Sequence, residues 1–206
     1  MIAISTVSQK AMIAIKIGDK EDYCALDANA KHSENALPAL INLLEKNDLK
    51  LKDNDCYSVV IGPGSFTGIR IGIALVKGLI EGEGEDKKVF PLTTFDLMAY
   101  SYSKQNPKNS FLCVLNALSG LCFVCEYDKD GNKISDEKMI KKEELDKIDL
   151  IKICLEEENI TKDCISISSE DLLELSLKKQ KEGKFISQKA LIPLYLRKSQ
   201  AEDQLK

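Results

Sequence analysis

The stretch Tyr57-Ser-Val-Val-Ile-Gly-Pro-Gly-Ser-Phe-Thr-Gly-Ile-Arg-Ile-Gly-Ile-Ala-Leu-Val-Lys-Gly-Leu-Ile80 constrains the fold more than any other. Val59, Val60 and Ile61 form a short apolar run that ends at the breaker Gly62-Pro63-Gly64, as a buried strand does. Ser65 or Thr67 is then placed to cap a helix running to about Ile80. At roughly 100° per residue, Phe66, Ile69, Ile71, Ile73, Leu75, Val76, Leu79 and Ile80 point in nearly every direction. Arg70 and Lys77 share the one charged stripe. A helix apolar all round is covered on most sides, and a chain of 206 residues covers one face with its own core. Gly68 and Gly72 would let a second helix backbone come close. The stretch therefore reads as a strand–loop–helix that serves both a fold and a partner.

A second helix has the same surplus. It opens near Lys31-His-Ser-Glu-Asn35, with Ser33 as the expected cap, and reaches about Lys46. Pro38 is expected only near its first turn. Ala36, Leu37, Leu40, Ile41, Leu43 and Leu44 cover an arc of about 160°, wider than the roughly 100° stripe of a core-facing helix.

Short apolar or alternating runs at 1–4, 11–17 and 23–28 predict a three-stranded meander ahead of that helix. After the glycine-loop helix come a polar loop at 82–86, a strand at Val89–Leu92, and a helix capped by Thr93 or Thr94 that runs to about Tyr102. The dipeptide Asn106-Pro107 marks a boundary between lobes at 1–105 and 106–206. Runs at 111–115, 121–127 and 133–140 then predict a second meander, with a hairpin signal at Asp128-Lys-Asp-Gly-Asn132. A charged helical stretch (141–158), a short run (164–168) and a helix from Ser169 to Lys181 stopped by Gly183 follow. The C-terminal segment has room to pack back on the first lobe. Two halves of like order suggest an internal duplication.

The net charge of −4 gives no electrostatic footprint for gripping nucleic acid unaided. Seven cysteines with no regular spacing, and no leader-like start, point to reduced thiols in the cytoplasm. Cys122-Phe-Val-Cys125 sits in a strand-like run that sends its sulfurs to opposite faces, so no metal is expected there. No apolar run approaches a membrane span.

The glycine loop lacks the Gly-Lys-Ser/Thr of a Walker loop and the spacing of a dinucleotide fingerprint. An actin-like kinase or ATPase would need carboxylates at the turns Ser5-Thr-Val-Ser8 and Asn116-Ala-Leu-Ser-Gly120 to hold Mg²⁺, and neither turn carries one. The acids of 81–86, 136–149 and 156–158 read as solvated faces. His32 is the only histidine, which leaves little from which to assemble a peptidase, and it reads as a helix-entry residue with a local hydrogen bond. The sequence Gly64-Ser65-Phe66 is not a nucleophile elbow; capping accounts for the serine.

Gly62-Pro-Gly-Ser-Phe-Thr-Gly-Ile-Arg-Ile-Gly72, His32-Ser-Glu with Leu37-Pro38, and Pro193-Leu-Tyr-Leu-Arg197 together resemble the bacterial TsaB family, also called YeaZ. The resemblance implies an α/β, actin-like/Hsp70-like (ASKHA) duplicated fold of two lobes, each a β-meander plus helices, with the second lobe shortened. It implies no catalytic residues, no cofactor and no metal. The role it implies is a scaffold for a TsaD-type catalytic subunit that installs N6-threonylcarbamoyl on adenosine 37 of tRNAs reading ANN codons. A TsaE-type ATPase would join a larger complex, a homodimer through the same helices is the alternative pairing, and tRNA is met only indirectly. The expected partner surface is Leu37, Leu40, Ile41 and Leu44 on one helix with Gly68, Ile69, Arg70, Gly72, Ile73, Val76 and Lys77 on the other. Gly62, Pro63, Gly64, Ser65 and Thr67 form its structural loop. Ser5, Asn116 and Leu118 depart from the family's Asp and Asp-Ala-Arg, which weakens any ATP or metal role. An active ATP-dependent kinase or ATPase, or a glycoprotease-like peptidase, is the alternative activity.

Overall fold

The computed structural model describes residues 1–84, 87–105 and 107–197, so Glu85–Asp86 of the expected loop and Asn106 of the expected boundary lie outside the described residues. The chain divides into two compact units, Met1–Thr93 with Ser168–Pro193, and Thr94–Ile167 with Leu194–Lys206.

The first unit holds a mixed sheet in the order β3-β2-β1-β4-β5. Strands β1 (Ile2–Ser5), β2 (Met12–Ile17) and β3 (Lys20–Ala25) form the antiparallel meander, and β4 (Cys56–Val60) and β5 (Lys88–Leu92) add in parallel. Parallel addition needs a helical crossover, and α1 (His32–Lys46) and α2 (Phe66–Glu83) supply it. The two helices touch each other. On α2, Ile69, Ile73, Val76 and Ile80 share one inward arc. Burying each such side chain is worth about 1.5–3 kcal/mol. The opposite face of the sheet receives α4 (Ser169–Glu182), whose Leu177 packs on Met1, Cys56 and Phe90. A capping box between Ser168 and Asp171 starts α4, and Gly183 ends it.

The second unit repeats the strand order as β10-β9-β6-β7-β8. Here β6 (Phe111–Asn116), β7 (Leu121–Tyr127) and β8 (Lys138–Lys141) are antiparallel, while β9 (Ile151–Leu155) and β10 (Asp163–Ile165) are parallel. α3 (Thr94–Ser103) packs Phe95, Met98 and Ala99 against Phe111, Cys113, Phe123 and Tyr127. Where α1 stands in the first unit, the second has only the 3-10 turn Lys142–Lys147. Where α2 stands, it has the loop 156–162.

Local expectations fail in instructive ways. The charged helix expected over 141–158 is the 3-10 turn followed by β9, because Ile153 and Leu155 join the core and tertiary burial outweighs helix propensity. Ser33 does not cap α1: Lys31 occupies that position with no side-chain bond. Pro38 lies inside α1 rather than in its first turn. It is exposed, where the carbonyl it leaves unpaired meets water. Among the described residues, no helix is long and apolar enough to cross a membrane.

Candidate functional site

The glycine loop is shaped by the first hairpin turn. Ser65 N–H donates to the carbonyl of Val7 at 3.0 Å, and Thr6 Oγ1 donates to the carbonyl of Gly68 at 2.6 Å. Ser65 is the cap of α2 and accepts from Gly68 N at 3.2 Å; Thr67 is an exposed first-turn residue. Gly62 and Pro63 are buried beneath the loop, and Gly64 sits at its surface. A Cβ on Gly68 would collide with the Thr6 carbonyl, and one on Gly72 would lie 2.7 Å from Thr6 Oγ1. Both glycines therefore serve a contact inside this unit, between α2 and the β1 turn.

Most of the residues expected at a partner surface lie inside the unit instead. Leu40 and Leu44 on α1, with Gly68, Ile69, Gly72, Ile73 and Val76 on α2, are buried in the unit's own core. They cannot present themselves to a second chain. Leu37 and Ile41 remain exposed at 44% and 37%, as an i, i+4 pair on one flank of α1. Arg70 is exposed, its guanidinium 5.9 Å from the Phe66 ring centre, and Lys77 is half-buried with its carbonyl accepting from Gln188 Nε2. The outward arc of α2 is instead Ile71 and Leu75, half-buried, with Ala74 and Gly78 exposed. A Cβ at Gly78 would meet nothing within 4 Å. Sequence reasoning missed this arc because apolar residues surround the helix. The available signal was the spacing of Ala74, Gly78 and Gly82, four residues apart.

The two hairpin turns differ from expectation in one respect. At the first, Ser5 is buried and its hydroxyl has no hydrogen-bond partner. At the second, a carboxylate does arrive, carried by the β9–β10 turn: Glu158 Oε2 accepts from Asn116 N–H at 2.8 Å. Glu158 is half-buried, unlike the exposed Glu156 and Glu157 before it. Burial pushes its carboxyl up to about 7, against the opposing pull of the Asn116 N–H. Leu118, Ser119 and Gly120 all take left-handed backbone at this turn, and Arg197 Nη1 donates to the Ala117 carbonyl at 2.7 Å. One carboxylate, engaged with a backbone amide, does not make a divalent-cation site. Among the described residues, no group of three or more His, Cys, Asp or Glu is placed to hold a metal. Cys122 and Cys125 lie in different clusters on opposite faces of the second sheet. His32 Nε2 meets the Gln9 carbonyl at 3.1 Å, a contact with the β1–β2 connection rather than a local one.

A third buried group lies at the far end of α2. Tyr57 O–H donates to Glu83 Oε2 at 2.8 Å, and Lys87 Nζ lies 3.8 Å from Glu83 Oε1. Burial first, then the Glu83 carboxylate, pushes the Tyr57 phenol well above its ordinary range, so it stays a neutral donor. The cluster ties α2 to β4 and offers no reactive group.

Solved structures with this fold include YeaZ from Pseudomonas aeruginosa, at TM-score 0.78 and 18% identity over 95% of this chain and 98% of that one. A Pseudomonas aeruginosa protein described as uncharacterized with similarity to peptidase YEAZ gives 0.79 and 17%, with the same coverage. Curated relatives named tRNA threonylcarbamoyladenosine biosynthesis protein TsaB include that of Escherichia coli K12, 27% identical over 65% of this chain and 57% of its own length. That of Haemophilus influenzae is 25% identical over 57% and 49%, and that of Bacillus subtilis 46% over 23% and 21%. The chain thus spans about half the length of the curated relatives it matches. The family model described as TsaD, tRNA N6-adenosine threonylcarbamoyltransferase, matches residues 26–172, from the end of the first meander into α4. With α1, α2 and the whole second sheet inside that match, the chain belongs to this family, and the curated relatives it resembles within it carry the TsaB name.

Proposed function

We propose that this chain is a non-catalytic subunit in the formation of N6-threonylcarbamoyladenosine at position 37 of tRNAs reading ANN codons. It docks a TsaD-type catalytic subunit through the outward faces of α1 and α2. The observation that carries this reading is the surface of Leu37, Ile41, Ile71, Ala74, Leu75 and Gly78 on two touching helices of one unit. Small residues in its middle admit a helix backbone, and apolar flanks give the contact its energy. Arg70 stands at the rim, where a charge sets register and association rate more than affinity. The missing second-lobe helices support the same reading, since the fold keeps its crossover helices only where this surface is built. The engaged state of Glu158, with no second carboxylate at the hairpin turns among the described residues, speaks against ATP hydrolysis by this chain.

The test is a reconstituted threonylcarbamoyl transfer to tRNA with purified components. The chain alone is expected to transfer nothing and to hydrolyse no ATP, while its addition to a TsaD-type subunit, with a TsaE-type ATPase present, restores transfer. Ile41→Glu, which buries a charge at the contact, is expected to lower that stimulation at least tenfold with the chain still folded. Stimulation unchanged by Ile41→Glu, or turnover by the chain alone, would overturn the reading.

A further inference from the structure

Two cysteines lie side by side under the loop that replaces the second crossover helix. Cys154 on β9 and Cys164 on β10 are register partners, and their Sγ atoms are 3.4 Å apart. Ile153, Leu155 and Ile165 point into the cluster under α3, so strand alternation puts both thiols on the other face of the sheet. Cys154 is buried and Cys164 is half-buried. The carbonyl of Thr161, at 3.5 Å, and Asn159 Oδ1, at 3.8 Å, receive the Cys164 thiol as well. The half-buried state of Cys164 leaves its thiol open to a small reagent, and its neighbours Asn159, Thr161, Lys162 and Asp163 line a cavity of about 590 Å³. Cys113 and Cys125 are register partners too, but their thiols turn to separate carbonyls, those of Phe95 and Ser135, and both are buried.

We infer that Cys154 and Cys164 form a site of reversible covalent modification, in which a low-molecular-weight disulfide such as oxidised glutathione converts the pair to an intramolecular disulfide across β9 and β10. Partners on adjacent strands have Cα atoms about 5 Å apart, inside the range a disulfide spans. The accessible Cys164 thiolate attacks one glutathione sulfur, and the first glutathione leaves as thiolate. Cys154 then attacks Cys164 Sγ, forming the internal bond and releasing the second glutathione. The two thiol protons pass to the departing thiolates; the protein pair loses two electrons and the glutathione disulfide gains them. Contact with Cys154, burial, and the charges of Glu156 and Asp163 hold the Cys164 thiol above its ordinary value, so exchange runs faster at mildly alkaline pH. The product closes the loop 155–163 into a ring that includes Glu158.

The experiment incubates the full chain, folded, with oxidised glutathione at mildly alkaline pH, alkylates the remaining thiols, and maps peptides by mass. A linked Cys154–Cys164 peptide is expected, reversible by dithiothreitol. Cys154→Ser is expected to stop at a mixed disulfide of glutathione on Cys164. Cys24, the other half-buried thiol, is expected to hold glutathione without forming an internal link. A stable glutathione adduct on Cys164 in the unsubstituted chain, or a linked peptide that forms only under denaturing conditions, would overturn the proposal. The wild-type map decides without any variant.

Discussion

Thr6 explains what two glycines of α2 are for. Its carbonyl and hydroxyl lie against Gly68 and Gly72, so a methyl group at position 68 would have to displace the backbone of the turn after β1 or that of α2. Gly68→Ala is therefore expected to cost about 3 kcal/mol of stability in urea unfolding, the upper end of ordinary overpacking, since a backbone atom cannot swing aside. Glu158 gives a second prediction at this scale. Its folded value of about 7 stands above the ordinary 4.5, so the folded chain holds the proton more tightly than the unfolded one. The stabilisation this gives is complete below the unfolded value and is lost as pH rises toward about 7. The melting temperature is expected to fall through that window, and Glu158→Gln to remove that component of the slope. The residues of this site were legible as types and not as neighbours. The acids at 156–158 look alike in the sequence, yet only Glu158 is turned onto Asn116, and that is fixed by a strand pairing the sequence does not show.

At the scale of the element, α2 displays the limit of periodicity. Strand, loop, cap and helix were all readable between Tyr57 and Ile80, since breaker residues and Ser65 mark the boundaries. Which arc faces inward was not, because leucine-sized residues lie on every side and only Thr6 breaks the tie. Small residues on a helix suit a partner's close approach, but those at 68 and 72 face Thr6 in the turn after β1, and Ala74 and Gly78 face out. Gly72→Leu, which looks like an interface substitution in the sequence, is therefore a core substitution. Gly78→Leu is its opposite, with open space around the new side chain. Replacing a mid-helix glycine removes a flexible residue, so Gly78→Leu is expected to leave the chain as stable or up to about 1 kcal/mol more stable, read by thermal unfolding. The misplaced helix at 141–158 has a related cause: its charges suit an exposed helix, but Ile153 and Leu155 are needed beneath α3.

For the whole molecule, one strand order occurs twice, and the difference between the copies lies in what crosses between strands. The first copy carries two helices of 15 and 18 residues, while the second makes do with a 3-10 turn and a loop. Reading the meanders found the repeat; that α4 rejoins the first unit after the chain has built the second sheet had no local signature. Retaining α1 and α2 in one copy, with an apolar outer face, is the feature the functional reading depends on. Isothermal titration of a TsaD-type subunit with the chain and with Gly78→Leu tests it most directly. The account predicts binding by the chain and a loss of at least a hundredfold in affinity for Gly78→Leu at unchanged melting temperature; equal affinity for the two would contradict it.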